Sequence, residues 1–468
     1  MSLASADGAS GAMPLLLQPP QSVQPPRSPD APPPLRVSSR RRSRYGSVPL
    51  LVWLFIQGLP LGRALEPAKP ALIEEVYARS IELTAQSNSL SSALQVVLLG
   101  GLYLCSAVVV IRRPHLSLRL LLRHWPLLLL LALVGASVAW TYNPEKVVMN
   151  LLHNCGAVLI ALAAALRYQT DPWRMPAEAS WALGMSLLPQ LGAVVLLPAY
   201  AIDWEGRWTG LTGQANTLGA LAFCAFWAGA AAAIARPAGN RIARVGPFTV
   251  MLLATLAMAG ADSVTSMLSS ACVLAVMLRL KRGGGRLLSL GALLVVPVLT
   301  MLVVTLASVV NLSSVLGVAG RSGDFSGRTT IWADGIDLIR RQPWTGWSFD
   351  DHAHVIRTVG MQYTTFHNGY LDLGVAGGLP SILLVLALLA TAFLQLNRST
   401  RIARELRVCA LPFMLAVLVY NTTEATLVSP RNPIWLLLLT LALLGAGRRL
   451  PGTAHAVFFT LVPTRYRR

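Results

Sequence analysis

Long apolar runs alternate with short polar stretches along most of the chain. Three examples extend from Trp125 to Trp140, from Gly291 to Val310 and from Leu379 to Leu394, and none of them contains a charged residue. Runs of this length are typical of membrane-spanning helices. The pattern therefore predicts an all-α polytopic membrane protein with about 12 transmembrane helices. The predicted spans lie at roughly 48–62, 93–111, 125–142, 147–166, 180–202, 214–235, 246–261, 264–280, 287–309, 368–396, 408–423 and 433–447.

The composition agrees with this class of protein. Hydrophobic residues make up 54% of the 468 residues, and charged residues make up only 13%. In soluble globular chains about a quarter of the residues are charged. The composition therefore excludes a soluble enzyme, a disulfide scaffold and a disordered tail protein. The five cysteines show neither CxxC nor metal-ligand spacing, so we interpret them as small core residues.

The positive charges are unevenly distributed between the two sides of the predicted membrane. The net charge is +19, and with both termini cytoplasmic, 28 of the 39 Lys and Arg residues fall on the cytoplasmic side. Cationic side chains are retained on that side during membrane insertion. We therefore predict that both termini are cytoplasmic. Topology then accounts for the basic excess, and we expect no nucleic-acid partner.

The predicted spans divide the chain into regions of different character. One loop on the outer side is much longer than the others and is dense in Arg, Trp and His, and long loops of this kind often carry function. We therefore expect the chemistry in or beside that loop. The regions are 1–47, a disordered cytoplasmic tail; 48–309, transmembrane helices 1–9; 310–367, the large loop; 368–447, transmembrane helices 10–12; and 448–468, a cytoplasmic tail.

Several short motifs occur on the predicted outer side. The large loop contains Gly327-Arg328 with Trp332 shortly after it, then Pro343-Trp344-Thr345-Gly346-Trp347, and it ends at His367-Asn368-Gly369-Tyr370-Leu371. Earlier motifs are Arg207-Trp208-Thr209-Gly210, followed by Asn216 and Gly219, and Asp262-Ser263-Val264-Thr265-Ser266. Glu424 follows the eleventh span. Together these motifs resemble the signature of the O-antigen ligase and polymerase family over about residues 180–435. Val264 departs from the pattern, since a basic residue is common there.

The resemblance implies a glycosyltransferase of the bacterial inner membrane whose large loop is periplasmic. Its substrate would be a polyprenyl-diphosphate-linked oligosaccharide, and its surroundings would be membrane lipid. It would need no cofactor and no metal. We favour the prediction that it is a surface-polysaccharide or exopolysaccharide polymerase. Its expected partners are then export or chain-length proteins. An O-antigen ligase that transfers the glycan to lipid A-core is the alternative.

The transfer reaction requires a group that stabilises the departing diphosphate. Guanidinium groups bind phosphate oxygens in a bidentate manner without a metal. Arg207 and Arg328 lie on the predicted outer side, each followed closely by a Trp, and Arg321 is a third candidate. We therefore predict that these three arginines bind the diphosphate. The alternative is that they anchor lipid headgroups or pair with nearby carboxylates.

His367 stands at the boundary between the large loop and the tenth span. A neutral imidazole there could accept the proton of the acceptor hydroxyl, whereas the structural alternative is a histidine that caps the helix. Glu424 lies near an outer helix end, where a carboxylate could orient a catalytic group or act as the base itself. We predict that His367 and Glu424 are catalytic.

Aromatic and amide side chains of the loop are candidates for sugar binding. Sugar rings stack on indole faces, so we predict this role for Trp332 and Trp347, with Asn368 beside them. Membrane-interface belts also contain Trp and are the alternative. His352 and His354 flank Ala353, but no further ligand pair has suitable spacing. We interpret them as part of a solvated loop and predict no metal site.

Two other classes of function remain open at this stage. A lipid-linked sugar transporter or flippase would fit twelve spans equally well, although it should show paired halves and mid-membrane charges. The sequence shows no convincing internal repeat, and its charges cluster in loops. The second of these classes is a scaffold in a polysaccharide assembly complex.

Overall fold

The computed structural model describes residues 44–57, 59, 89–169, 171–235, 241–282, 325–361, 365–397 and 401–446. The structure is 80% helical, and the described residues form no β-strand. The α-helices are α1 (Val48–Ile56), α2 (Ser89–Ile111), α3 (Pro114–Arg123), α4 (Trp125–Ala136), α5 (Pro144–Tyr168), α6 (Arg174–Leu196), α7 (Pro198–Ala201), α8 (Ala215–Ala235), α9 (Arg241–Gly260), α10 (Val264–Lys281), α11 (Phe325–Arg341), α12 (Ala353–Val359), α13 (Gly369–Asn397), α14 (Arg401–Tyr420) and α15 (Pro433–Gly445).

The prediction of an all-α polytopic membrane protein is confirmed. Within the described ranges, six helices are long and apolar enough to cross a membrane, namely Leu94–Ile111 of α2, α5, α6, Ala215–Ile234 of α8, α10 and Gly369–Leu396 of α13. A seventh span results if α3 and α4, which are bent by 84° relative to each other, cross the membrane together. The count of twelve stays a prediction, because the span at 287–309 lies outside the described residues. The predicted tail at 448–468 and residues 1–43 of the predicted tail at 1–47 also lie outside them.

Some apolar runs form shorter helices than the sequence predicts. The run at 125–142 is helical only to Ala136, because the Ser137 hydroxyl donates to Val134 O at 2.8 Å and the chain tightens into a 3₁₀ helix. The next helix starts where Asn143 accepts a hydrogen bond from Lys146 N at 3.1 Å, with Pro144 in the first turn. Polar caps therefore set this boundary.

Small residues let the helices pack closely around α8. A Cβ at Gly229 would lie 2.8 Å from Pro247 O, and one at Gly184 would lie 2.6 Å from the Val250 side chain. Close approach at Gly is a common way for membrane helices to gain van der Waals contact, since lipid supplies no hydrophobic driving force between them. The Trp227 indole adds a cross-link by donating to Cys409 O of α14 at 3.0 Å.

A break in α13 provides the anchor for the loop that precedes it. Gly377 and Gly378 have non-helical backbone angles, with φ +66° at Gly378, and Pro380 follows them. The break exposes carbonyl groups that need donors. Those donors come from the loop, since Trp347 N donates to Val375 O at 2.8 Å and Ser348 N donates to Ala376 O at 2.9 Å. Leu379 N completes the junction by donating to Pro343 O at 2.8 Å.

We expect the same substitution to have opposite effects at two helix glycines. Gly229→Ala forces its new Cβ against Pro247 O, a backbone atom that cannot rotate away, and overpacking of this kind costs about 1–3 kcal/mol. Gly192→Ala on α6 meets no atom within 4 Å and should gain helix propensity instead. Thermal unfolding of the detergent-solubilised protein measures both. Equal shifts at the two positions would contradict the packing described for α8 and α9.

Candidate active site

His367 lies in a strained turn immediately before α13. Its backbone φ is +49°, which is unusual for a residue with a Cβ. Its amide donates to Thr365 Oγ1 at 3.2 Å, and its side chain remains 39% exposed. The turn thus presents the imidazole to the outside while the backbone is held from within.

Glu424 faces His367 from the loop after α14. Its Oε2 lies 4.0 Å from His367 Nδ1, and its side chain is 14% exposed. A separation of 4.0 Å is an ion-pair distance and too long for a hydrogen bond, and catalytic contacts often tighten only when substrate binds. The arrangement therefore places a carboxylate oxygen beside the imidazole, where it can orient the ring.

Asn216, in the first turn of α8, joins this pair. Its Nδ2 donates to Glu424 Oε1 at 2.9 Å, which leaves the second oxygen directed at His367. Three segments that are distant in sequence, the starts of α8 and α13 and the loop after α14, therefore meet at one point.

Asn421 shapes the loop that carries Glu424. Its Oδ1 accepts from Thr426 N at 2.8 Å and from Leu427 N at 3.2 Å, which folds the loop back on itself. The loop is also tied to the start of α10, where the hydroxyls of Thr265 and Thr423 lie 2.9 Å apart. The Ser/Thr segment at 262–266 thus borders the site.

Arg207 is paired with carboxylates on its own loop. Its Nε donates to Asp203 Oδ2 at 2.9 Å and its Nη2 lies 2.7 Å from Glu205 Oε2, with 36% of the side chain exposed. This pairing is the alternative that the sequence left open for Arg207. Trp208 N fixes the loop by donating to Gly260 O at the end of α9, at 2.8 Å. The diphosphate-binding role of Arg207 stays a prediction, because a bound anion would have to compete with two carboxylates.

The described residues do not include the side chains of the other two predicted diphosphate ligands. Arg321 lies outside the described residues, and so does the side chain of Arg328, although its backbone belongs to α11. Their roles also stay predictions.

The predicted sugar-binding residues are buried. Trp332 is 5% exposed and Trp347 is 8% exposed. The Trp332 indole donates to Phe366 O at 2.9 Å, and the Trp347 indole donates to Leu338 O at 3.0 Å. Both rings belong to a small hydrophobic cluster that packs α11 against the start of α13. Trp332 thus binds the residue before His367, whereas Trp347 binds α11. Stacking on a sugar would require this cluster to open.

Asn368 is fully buried and caps α13. Its Oδ1 accepts from Tyr370 N at 3.0 Å and from Leu371 N at 3.2 Å, and its Nδ2 donates to Thr422 O at 3.1 Å. Capping of the helix was the alternative role for His367, and the neighbouring Asn368 performs it instead. This geometry gives Asn368 a backbone-binding role, and contact with a sugar stays a prediction without support from its position.

His352 and His354 do not lie in a solvated loop as expected. His352 is 8% exposed and the adjacent Asp350 is 1% exposed. Asp350 Oδ2 accepts from Thr141 Oγ1 at 2.6 Å and from His354 N at 3.1 Å, which docks the segment on the chain between α4 and α5. Among the described residues, no group of three or more His, Cys, Asp or Glu side chains is arranged to hold a metal ion.

Sequence reasoning missed the part of Asn216 in the site. Asn216 stood out only as a polar position following the Arg207 motif. An amide in the first turn of an otherwise apolar helix, on the same predicted side as His367, was the available signal. Its partner could not be inferred, because Glu424 lies 208 residues away.

The comparison with family models gives one match. Residues 248–386 match the model described as O-antigen ligase, and a comparison with curated proteins finds no match. The matched stretch includes the Ser/Thr segment of α10 and His367, whereas Glu424, Asn216 and Arg207 lie outside it. Residues 248–386 are thus similar to O-antigen ligases, and the match supports the resemblance of this multi-pass membrane protein to the O-antigen ligase and polymerase family.

Proposed function

We propose that this chain is a glycosyltransferase that joins polyprenyl-diphosphate-linked oligosaccharide repeat units on the periplasmic face of the bacterial inner membrane. The family match supports a membrane glycosyltransferase related to O-antigen ligases and polymerases. The observation that carries the proposal is the convergence of His367, Glu424 and Asn216 from three distant segments.

The proposed reaction uses His367 as the general base. The acceptor hydroxyl attacks the anomeric carbon of the donor, a new carbon–oxygen bond forms, and the bond from that carbon to the diphosphate oxygen breaks. The diphosphate leaves with the electron pair, and the hydroxyl proton passes to the His367 imidazole. Glu424 then stabilises the imidazolium, and Asn216 fixes the rotamer of Glu424.

The negative charge that develops on the diphosphate needs cations near it. Arg207, Arg328 and Arg321 are the proposed ligands, because guanidinium groups stabilise such charge without a metal or a nucleotide cofactor. In the case of Arg207, the carboxylates of Asp203 and Glu205 bind the guanidinium group and fix its position. The energy for transfer comes from the donor diphosphate itself.

The orientation of the site follows from the distribution of charge in the sequence. With both termini in the cytoplasm, 28 of the 39 Lys and Arg residues lie on the cytoplasmic side. His367, Glu424 and Arg207 then face the periplasm, where donors are lipid-linked.

The favoured product is a polymer of repeat units, with export or chain-length proteins as partners. The matched model is described as O-antigen ligase, so transfer of the glycan to lipid A-core is the second candidate. The two reactions share the donor and the base and differ in the acceptor.

We expect His367→Ala to abolish polysaccharide formation when it replaces the wild-type gene in the host. Loss of a general base costs about 10²-fold or more in rate, so single repeat units should accumulate on the polyprenyl lipid. Long chains accumulating on lipid would instead indicate a ligase. His115→Ala on α3 is the matched control, because that exposed histidine is remote in sequence from the site motifs. Normal polysaccharide from a correctly inserted His367→Ala protein would contradict the site.

We expect Glu424→Gln and Asn216→Ala to slow transfer less than His367→Ala does. Each removes a group that orients His367 and leaves the base in place, so a decrease of about 10-fold is the expected scale, since misplacement of a reacting group costs up to about 10²-fold. Rates in isolated membranes at saturating donor measure the effect. Thr217→Ala, an exposed neighbour of Asn216, should keep the wild-type rate. A wild-type rate for Asn216→Ala would show that its bond to Glu424 has no catalytic role.

A further inference from the structure

The turn that carries His367 is held by a carboxylate one helical turn further along the chain. Asp372 Oδ1 accepts from Phe366 N at 3.2 Å, and its Oδ2 accepts from Thr365 Oγ1 at 3.1 Å. The same Thr365 oxygen accepts from His367 N at 3.2 Å. The amides of two consecutive residues therefore depend on Asp372, one directly and one through a hydroxyl.

The backbone of the turn needs this support. His367 has φ +49°, in a region that residues with a Cβ rarely adopt. Such conformations persist only where the surrounding structure fixes them, and they cluster at functional sites. Without acceptors for the amides of Phe366 and His367, the turn could relax into extended backbone and carry the imidazole away from Glu424.

The surroundings of Asp372 favour a carboxylate that binds the turn before α13. It lies in the first turn of α13, where the helix dipole favours a carboxylate, and its side chain is 15% exposed. His352 Nε2 lies 3.6 Å from Asp372 Oδ1, and the His352 ring packs edge-on against Phe366 with 5.4 Å between ring centroids. The segment around α12 thus covers the carboxylate and the turn together.

We propose that Asp372 is a positioning residue for the transfer reaction and acts by fixing the left-handed turn that points His367 at Glu424. This inference rests on the proposed function, because it assumes that His367 is the base. Asp372 touches neither the donor nor the acceptor in this account. Its effect on the rate passes entirely through His367.

The test measures kcat and KM of purified variants in liposomes. The probe is lipid-linked oligosaccharide extracted from the host strain that lacks this gene. Asp372→Ala should lower kcat about 10- to 100-fold, because small displacements of a catalytic group have effects of this size, while KM changes by less than about 3-fold. Asp337→Ala, which removes an exposed carboxylate paired with Arg341 on α11, should leave both constants unchanged.

Thr365 gives a second and milder way to test the same chain of bonds. Thr365→Val keeps the shape of the side chain but removes the hydroxyl that relays Asp372 to His367 N, so kcat should fall. Thr365→Ser should restore it. If Asp372→Ala fails to insert, this pair decides the inference, and equal kcat for Thr365→Val and the wild type would overturn it.

A double substitution separates positioning from a general structural role. Asp372→Ala in a His367→Ala background should have no further effect on the residual rate, because the two residues act as a unit. An additional loss as large as in the wild type would overturn the inference and leave His367 as the base. If His367→Ala alone is fully active, the proposed function fails and the role of Asp372 fails with it.

Discussion

The amide of Gly369 connects the two halves of the candidate site. It donates to Asn421 O at 2.9 Å and to Glu424 O at 3.0 Å. One amide at the start of α13 therefore binds two carbonyl groups at and after the end of α14. A Cβ at this position would lie 2.2 Å from Asn421 Oδ1, which makes glycine a requirement of the contact. The distance between His367 and Glu424 depends on this junction, because each residue lies within three positions of it.

Around that junction, polar side chains bind backbone groups that have no partner within a helix. Asn368 caps α13, Asn421 folds the loop after α14, and Asp372 reaches back to the turn that carries His367. Backbone groups near a membrane cannot be left without partners. The same requirement explains the break in α13, where amides of the loop containing Trp347 bind carbonyl groups that the helix leaves exposed. The need to pair these backbone groups thus gathers several polar side chains at one place.

The helices and the candidate residues at their ends could be predicted because their signals are local. The long apolar runs predicted α5, α8 and α13, and the ends of those runs selected His367 and Glu424 as polar residues near helix termini. The positions of the remaining groups depend on contacts that no local pattern records. Trp332 and Trp347 have the residue type of a sugar platform, but packing between α11 and α13 buries both rings.

Charge pairing limited the sequence analysis in a similar way. An arginine on a predicted outer loop indicates phosphate binding, yet Arg207 pairs with two carboxylates of its own loop. The sequence shows that these carboxylates are near in the chain, but it does not show that they contact the guanidinium group. Asn216 illustrates the converse case, since an amide in an apolar helix gains a role only through a partner 208 residues away. Hydrogen bonds across such separations are set by the packing of whole helices.

Reconstitution tests the central claim most directly. The purified protein is placed in liposomes with lipid-linked repeat units, a chelator is added, and no nucleotide is supplied. If the site at His367 and Glu424 catalyses glycosyl transfer, oligosaccharides of two or more repeat units should appear on the lipid with the wild-type protein and not with His367→Ala. Movement of unchanged repeat units across the bilayer, without any new glycosidic bond in either preparation, would contradict the account and identify a transporter.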